Sequence, residues 1–258
     1  MAERDKPYFL IQTVERALMV LDRMIVEQKP MTVSELSRKL KLHKSVVHRL
    51  LATLVCYKYV ERETDSERYR IGFRSYQLGA AYFHTTSLIE ESRDLVEQLM
   101  QTTGGMAHLG ILHEGKVLYL LTMEATSKSL YQHLGVQNFV HYSGLGKCLC
   151  AWRRDEEVLG ILQQHGMPVR TNKTVTTPGA YLVELVKVRE QGFAIDDEEG
   201  ARGFRCFAAP IHDYSRQVVA AVSINNSTKN FTSGRMTELS GLIKEYGRRI
   251  SQRLGYDS

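Results

Sequence analysis

The stretch TVSELSRKLKLHKSVVHRLLATLVCYKYVERETDSERYRIG, residues 32–72, constrains this chain more than any other. Thr32 followed three residues later by Glu35 is a capping box, in which a hydroxyl and a carboxylate satisfy the free amides of a helix start. A short helix is expected through Leu40, a tight turn at Lys41-Leu42-His43, and a second helix from Lys44 to about Tyr57. On the second helix Val47, Leu50, Leu51 and Leu54 recur at i, i+3, i+4 and i+7 and form one apolar stripe. Its other side presents Ser45, His48, Arg49, Ala52 and Thr53, short or hydrogen-bonding residues around one guanidinium. Residues 59–62, a polar Asp65-Ser66 turn and residues 68–71 then read as a hairpin. Two helices joined by a short turn, with a basic hairpin behind them, form the pattern of a winged helix-turn-helix and point to DNA.

Charge placement agrees. The net charge is +5; residues 1–76 carry 15 Lys/Arg against 10 Asp/Glu, whereas residues 77–258 carry 19 of each. The excess is confined to the part expected to meet phosphates. With 43% apolar and 24% charged residues the composition is that of an ordinary soluble globular chain, long enough at 258 residues for two domains. Cys56, Cys148, Cys150 and Cys206 form no CxxC pair and no disulfide framework. Residues 1–12 lack the apolar core of a signal peptide, and no run approaches the ~18 apolar residues of a membrane span. The expectation is a reduced, cytoplasmic protein with no membrane partner.

In chain order, residues 13–28 have helical apolar spacing and Pro30 ends that helix. Residues 76–83 and 89–100 read as helices broken near 85–87, a connector suited to pairing subunits. Beyond Gly104-Gly105 the texture changes to strands at 106–112, 117–123, 193–196, 205–211 and 217–224. Helices are expected after Ser143, over 155–165, from Pro178 to Gly192, and over 233–254. Strands flanked by segregated helices indicate an α+β domain with an antiparallel sheet.

The blocks VERAL, ELSRKLKLHKSVVHRLLATL with YVER and RYRIG, HYSGLGKCL, VREQGFAIDDEE, GFRCFAAPI and VVAAVSI stand in an order and spacing that resembles the IclR family of bacterial transcription regulators, over about residues 11–255. Similarity to the branch controlling sugar-acid and related carboxylate catabolism is suggested as well. The resemblance implies an N-terminal winged helix-turn-helix (residues 1–75), a helical linker (76–103) and a GAF-like antiparallel-sheet effector-binding domain (104–258). It implies a pocket floor of Ser143, Gly144, Leu145 and Gly146, where exposed amides at a helix start favour an anion. Asp196, Cys206, Ser223 and Asn225 match its remaining polar positions, with Leu130 and Phe204 as apolar walls. Ser223 and Asn225, two apart on one strand, share a face. Asn225 stands where many relatives carry serine, and Tyr142 replaces a common small residue. His108 and His141 either approach the pocket or are core histidines, the second reading being favoured, and strand alternation turns Arg205 away from Cys206.

The implied function is a sequence-specific transcriptional regulator of a catabolic operon, a repressor controlled by a small carboxylate or sugar acid; an activator of the same architecture is the alternative. Ser45, His48, Arg49 and Thr53 would face the major groove with Lys44 at the helix start, while Lys39, Lys41, Arg68 and Arg70 would meet phosphates of an operator duplex. A homodimer or homotetramer would place paired helices on a near-palindromic site. No cofactor or metal is expected. An enzyme using Cys206 as nucleophile, or the acidic run 196–199, finds little support: no histidine stands at a telling spacing, and carboxylates from one run do not converge as a hard cation requires.

Overall fold

A computed structural model describes residues 10–85, 87–124 and 135–257, so Leu130 lies outside the described residues. The chain divides into two compact units between Thr85 and Thr86. The segment 76–103, expected as a linker, is thereby split: its first helix belongs to one unit and its second to the other.

The first unit holds α1 (Gln12–Glu27), β1 (Met31–Thr32), α2 (Val33–Leu40), α3 (Lys44–Cys56), β2 (Val60–Arg62), β3 (Arg68–Ile71) and α4 (Phe73–Thr85). The capping box forms as expected: Glu35 N donates to Thr32 Oγ1 at 3.2 Å, and Thr32 N donates to Glu35 Oε2 at 2.7 Å. Lys41 closes α2 in the left-handed region at φ 55°, and Ser37 Oγ donates to Leu42 O at 2.6 Å, which sets the turn. The apolar stripe of α3 is buried against Val20 and Met24 of α1 and Leu36 of α2, with Val60 and Tyr69 beneath. Burial of such side chains contributes roughly 1.5–3 kcal/mol each. The wing has three strands where two were expected. Residues 31–32 pair with 68–69, giving the order β1-β3-β2.

The second unit begins with α5 (Ser87–Thr103), followed by β4 (Met106–His113), β5 (Lys116–Met123), β6 (Gln137–Asn138), α6 (Gly144–Ala151), α7 (Asp155–His165), α8 (Pro178–Gln191), β7 (Ala194–Asp197), β8 (Phe204–His212), β9 (Val218–Ser227) and α9 (Met236–Arg253). Its strands form one antiparallel sheet in the order β6-β5-β4-β9-β8-β7. On one face α6 and α8 share a core of Leu145, Cys148, Leu149, Tyr181, Leu185, Ala208 and Ala221. On the other face α9 lies so close that a Cβ at Gly247 would meet Ala209 Cβ at 2.9 Å. Beside α9, α5 is tied to it by Arg253 NH2 donating to Asp94 Oδ2 at 2.8 Å. Both faces are therefore covered, which is why β8 and β9 read as near-continuous runs of apolar and small residues.

Candidate functional site

In the first unit, α3 carries Ser45, His48, Arg49, Ala52, Thr53 and Cys56 on its exposed side, opposite the buried stripe. His43 caps this helix, a role not foreseen from the sequence: its Nδ1 accepts from Ser45 N at 3.4 Å and lies 2.8 Å from Ser45 Oγ. Thr53 Oγ1 donates to Arg49 O at 3.1 Å and keeps lone pairs for an outside donor. Arg49, Lys44 and Lys41 form no ion pair among the described residues and are exposed.

Three other cations expected at phosphates are engaged within the unit. Arg68 NH1 donates to Pro30 O at 2.9 Å and to Glu35 Oε2 at 3.3 Å, bracing the wing against the start of α2. Arg70 pairs with Glu61 at 3.0 Å, and Lys39 pairs with Glu27 at 2.7 Å. The backbone N–H of Phe73 and the Arg70 guanidinium hold the Glu61 carboxyl below its ordinary range. Lys39 does the same to Glu27 through its hydrogen bond. The sequence hid these pairs because each partner comes from a different element.

In the second unit, strand register assembles the polar residues into two adjacent rows on one sheet face. Asp196 pairs with Cys206, Cys206 with Asn225, and Asn225 with Met106. The next row runs from Ala194 through Ala208 and Ser223 to His108 and Thr122. The helix start rests on these rows: a Cβ at Gly144 would lie 3.2 Å from both Cys206 Sγ and Ala208 Cβ, a tighter contact than side chains ordinarily make, which glycine avoids. At Gly146 an added Cβ would run into the Val140 carbonyl. Ser143 is the N-cap, its Oγ accepting from Gly146 N at 2.9 Å, which leaves the first amides of α6 directed past the cap. Leu145 is buried, and a Cβ on Gly110 would touch its Cδ1 at 3.1 Å.

Electrostatics on this face is set by burial. Asp196 Oδ1 accepts from Glu199 N at 2.7 Å and Gly200 N at 3.2 Å, yet burial pushes the carboxyl up to about 6. Burial, with Asp196 beside it, pushes the Cys206 thiol up to about 12, so it stays protonated. Ser223, 1% exposed, turns its Oγ toward that thiol without completing a hydrogen bond, and Asn225 Oδ1 is buried with no partner among the described residues. Phe204 lies at the strand end opposite Ser227, 47% exposed, where it packs as a rim at most. His108 and His141 are both buried; the first has Nδ1 3.1 Å from Thr122 Oγ1, the second Nε2 3.1 Å from Pro168 O. Arg205 faces away, as alternation requires, its Nε donating to Asp197 Oδ1 at 2.7 Å.

One participant escaped sequence reading. Lys147, buried one turn into α6, donates to Glu199 Oε1 at 2.5 Å and to Ile195 O at 2.8 Å. It staples the acidic loop to α6. The available signal was a single lysine inside the otherwise small and apolar helix GLGKCLCA. Two surface hollows lie away from these rows, one of about 530 Å³ lined by Leu159, Leu162 and Met167, the other of about 480 Å³ lined by Leu149, Trp152 and Arg154. Neither brings together unpartnered buried polar atoms among the described residues.

Among the described residues no group of three His, Cys, Asp or Glu side chains is placed to hold a metal ion, and no helix is long and apolar enough to cross a membrane. Comparison with known proteins supplies the context for both sites. The family model for the IclR helix-turn-helix domain matches residues 13–64, and that for the bacterial transcriptional regulator IclR C-terminal domain matches residues 80–252. The chain is 32% identical over 243 residues to the HTH-type transcriptional regulator BhcR of Paracoccus denitrificans, covering 93% of this chain and 86% of that one. It is 31% identical over 256 residues to the HTH-type transcriptional regulator KdgR of Escherichia coli, covering 99% and 97%. The crystal structure of the Thermotoga maritima IclR superposes with a TM-score of 0.76 at 27% identity, covering 96% of this chain and all of that one.

Proposed function

The chain belongs to the IclR family of bacterial transcriptional regulators, and on that premise we propose that it is a repressor of a catabolic operon, released from its operator by a small carboxylate or sugar acid bound on the second unit's sheet. That it is a DNA-binding regulator and not an enzyme follows from the family. The observation that carries the ligand reading is the pair of rows under the start of α6. Amides of a helix N-terminus favour an anion, and Ser223 Oγ and Asn225 Oδ1 are buried polar atoms left for a ligand to satisfy.

Repression is the sign we adopt because the recognition helix is held by contacts internal to the first unit: the Thr32 cap, the Arg68 brace and the buried stripe of α3. Operator binding thus requires nothing from the effector. A ligand can shift only states it binds unequally, and release is then the change it can impose. Arg49, with Ser45, His48 and Thr53 beside it, reads base edges, while Lys41 and Lys44 meet phosphates in the cytoplasm where the operator lies.

A homo-oligomer completes the proposal. Ile11, Val14, Leu18 and Ile25 of the α1 region and Phe73 and Tyr76 of α4 are large apolar side chains left exposed, a surface suited to pairing with a second copy. Footprinting of the chain's own upstream region, with and without a panel of small carboxylates, tests the reading. A protected near-palindrome that clears when a carboxylate is added supports it, and a chain that leaves the duplex unprotected at low salt contradicts it.

A further inference from the structure

We infer that His43 fixes the hydrogen-bonding sense of Ser45, so that the Ser45 hydroxyl meets the operator as an acceptor and reads the amino group of an adenine or a cytosine. The inference rests on the operator-reading role proposed for α3 and extends it from which residues face the duplex to which base edges they select.

His43 stands at the N-cap of α3. Imidazole is not among the side chains that usually fill this position, which are Ser, Thr, Asp and Asn. Two groups converge on its Nδ1: the backbone N–H of Ser45 at 3.4 Å and, at 2.8 Å, Ser45 Oγ. A backbone N–H can only donate, so Nδ1 is the unprotonated nitrogen and the ring proton sits on Nε2. The amides of Val46 and Val47 go to His43 O at 3.0 and 3.1 Å, which leaves the imidazole as the partner of the Ser45 amide. Turning the ring over would set a C–H against that amide and leave the cap unmade. With Nδ1 accepting, the short contact to Ser45 Oγ is made by the hydroxyl hydrogen.

A serine hydroxyl has one hydrogen and two lone pairs. The hydrogen of Ser45 is spent on His43, so this exposed side chain turns only lone pairs outward. Thr53, on the same exposed side, has likewise given its hydrogen to Arg49 O at 3.1 Å. Both hydroxyls of that side therefore accept, and the Arg49 guanidinium supplies donors between them. In the major groove the donors are the N6 amino group of adenine and the N4 amino group of cytosine, whereas purine N7, guanine O6 and thymine O4 accept. Ser45 set against one of these acceptors makes no hydrogen bond. A serine without the His43 partner could rotate and donate to them, so the selectivity lies in the pair and not in Ser45 alone. His43 is thus a positioning residue.

The test uses the full chain and duplexes that it selects from a randomised pool at low ionic strength, with binding read by fluorescence anisotropy. Comparing wild type with Ser45→Ala locates the base pair that Ser45 meets, as the pair whose replacement the alanine variant no longer feels. At that pair the amino group is deleted, by purine in place of adenine or pyrimidin-2-one in place of cytosine. In a separate duplex the purine of the pair is replaced by its 7-deaza analogue, which lacks the N7 acceptor. Loss of one such hydrogen bond weakens binding about two- to tenfold. Wild type should show that loss on amino deletion and tolerate the deaza analogue, while Ser45→Ala should tolerate both. His43→Ser keeps a good helix cap but frees the Ser45 hydroxyl, and should lose the amino penalty. His43→Asn, whose Oδ1 can accept as Nδ1 does, should keep it. Melting curves show that each variant is folded. A wild type that feels the loss of N7 and not of the amino group, a penalty that survives in folded His43→Ser or vanishes in folded His43→Asn, or a Ser45→Ala that feels every replacement as wild type does would overturn the inference while leaving α3 as the reading helix. If the wild-type chain selects no duplex from the pool, the DNA reading itself falls.

Discussion

Lys147 Nζ lies 2.5 Å from Glu199 Oε1, and both side chains are buried between α6 and the loop after β7. The amine also reaches Ile195 O at 2.8 Å and stands 3.6 Å from Glu184 Oε2, so its charge is offset on three sides. Glu199 Oε2 has no partner among the described residues, and burial raises the Glu199 carboxyl despite the lysine. This pair ties α6 to the loop that follows β7.

Removing one partner strands the other. Lys147→Met should destabilise the second unit by about 3–5 kcal/mol, the usual cost of an uncompensated buried charge. Lys147→Met combined with Glu199→Gln should recover much of that loss. Calorimetric melting of the two variants measures both effects; equal destabilisation by the single and double changes would show that packing, not charge, sets the cost.

Asp196 gives a pH signature. Its folded value is raised to about 6 by burial, so the acid form is favoured in the native state. The associated stability is fully present below the unfolded carboxylate range and is lost as pH rises through about 6. That displacement corresponds to roughly 3 kcal/mol. Asp196→Asn keeps a carbonyl oxygen for the Glu199 and Gly200 amides while removing the titration. Relative to wild type the variant should gain stability between pH 4 and pH 7. A constant difference across that window in urea melts would contradict the assignment.

On the DNA side, Arg49→Ala should remove about 1–3 kcal/mol of discrimination between operator and scrambled duplex, with the fold intact because Arg49 is exposed. Anisotropy titrations against both duplexes read this directly. Unaltered preference would move the reading residue elsewhere on α3.

Lys41 and Arg68 should separate by mechanism. Lys41→Ala should weaken all duplexes alike and reduce the salt slope by about one. Arg68→Ala should instead lower the melting point of the first unit, because Arg68 ties β3 to Pro30 O and Glu35. If Arg68→Ala changes the salt slope as Lys41→Ala does and leaves melting alone, the brace is incidental.

The first unit was legible in the sequence because its signals are local. The Thr32–Glu35 cap, the stripe of α3 and the Asp65-Ser66 turn each lie within one helical or hairpin period. β1 was not, since two residues form a strand only because β3 is there to pair with them. In the second unit the shared face of Ser223 and Asn225 follows from period two alone. The alignment of Asp196, Cys206 and Asn225 required register across three strands, which no local pattern encodes. Lys147 and Glu199 are 52 residues apart, and the engaged state of Arg68, Arg70 and Lys39 depends on partners in other elements. Long-range charge pairing was the part hidden from sequence.

The most direct test of the whole account couples the two units in one measurement: operator affinity of the wild type and of Ser223→Leu, each with and without a saturating carboxylate effector. A leucine at position 223 fills the buried row between Ala208 and His108. Wild type should lose operator affinity at least about fivefold on adding effector, the low end of typical allosteric coupling. Ser223→Leu should bind the operator as wild type does and ignore the effector. An effector response of equal size in both proteins would contradict the claim that this sheet face governs release.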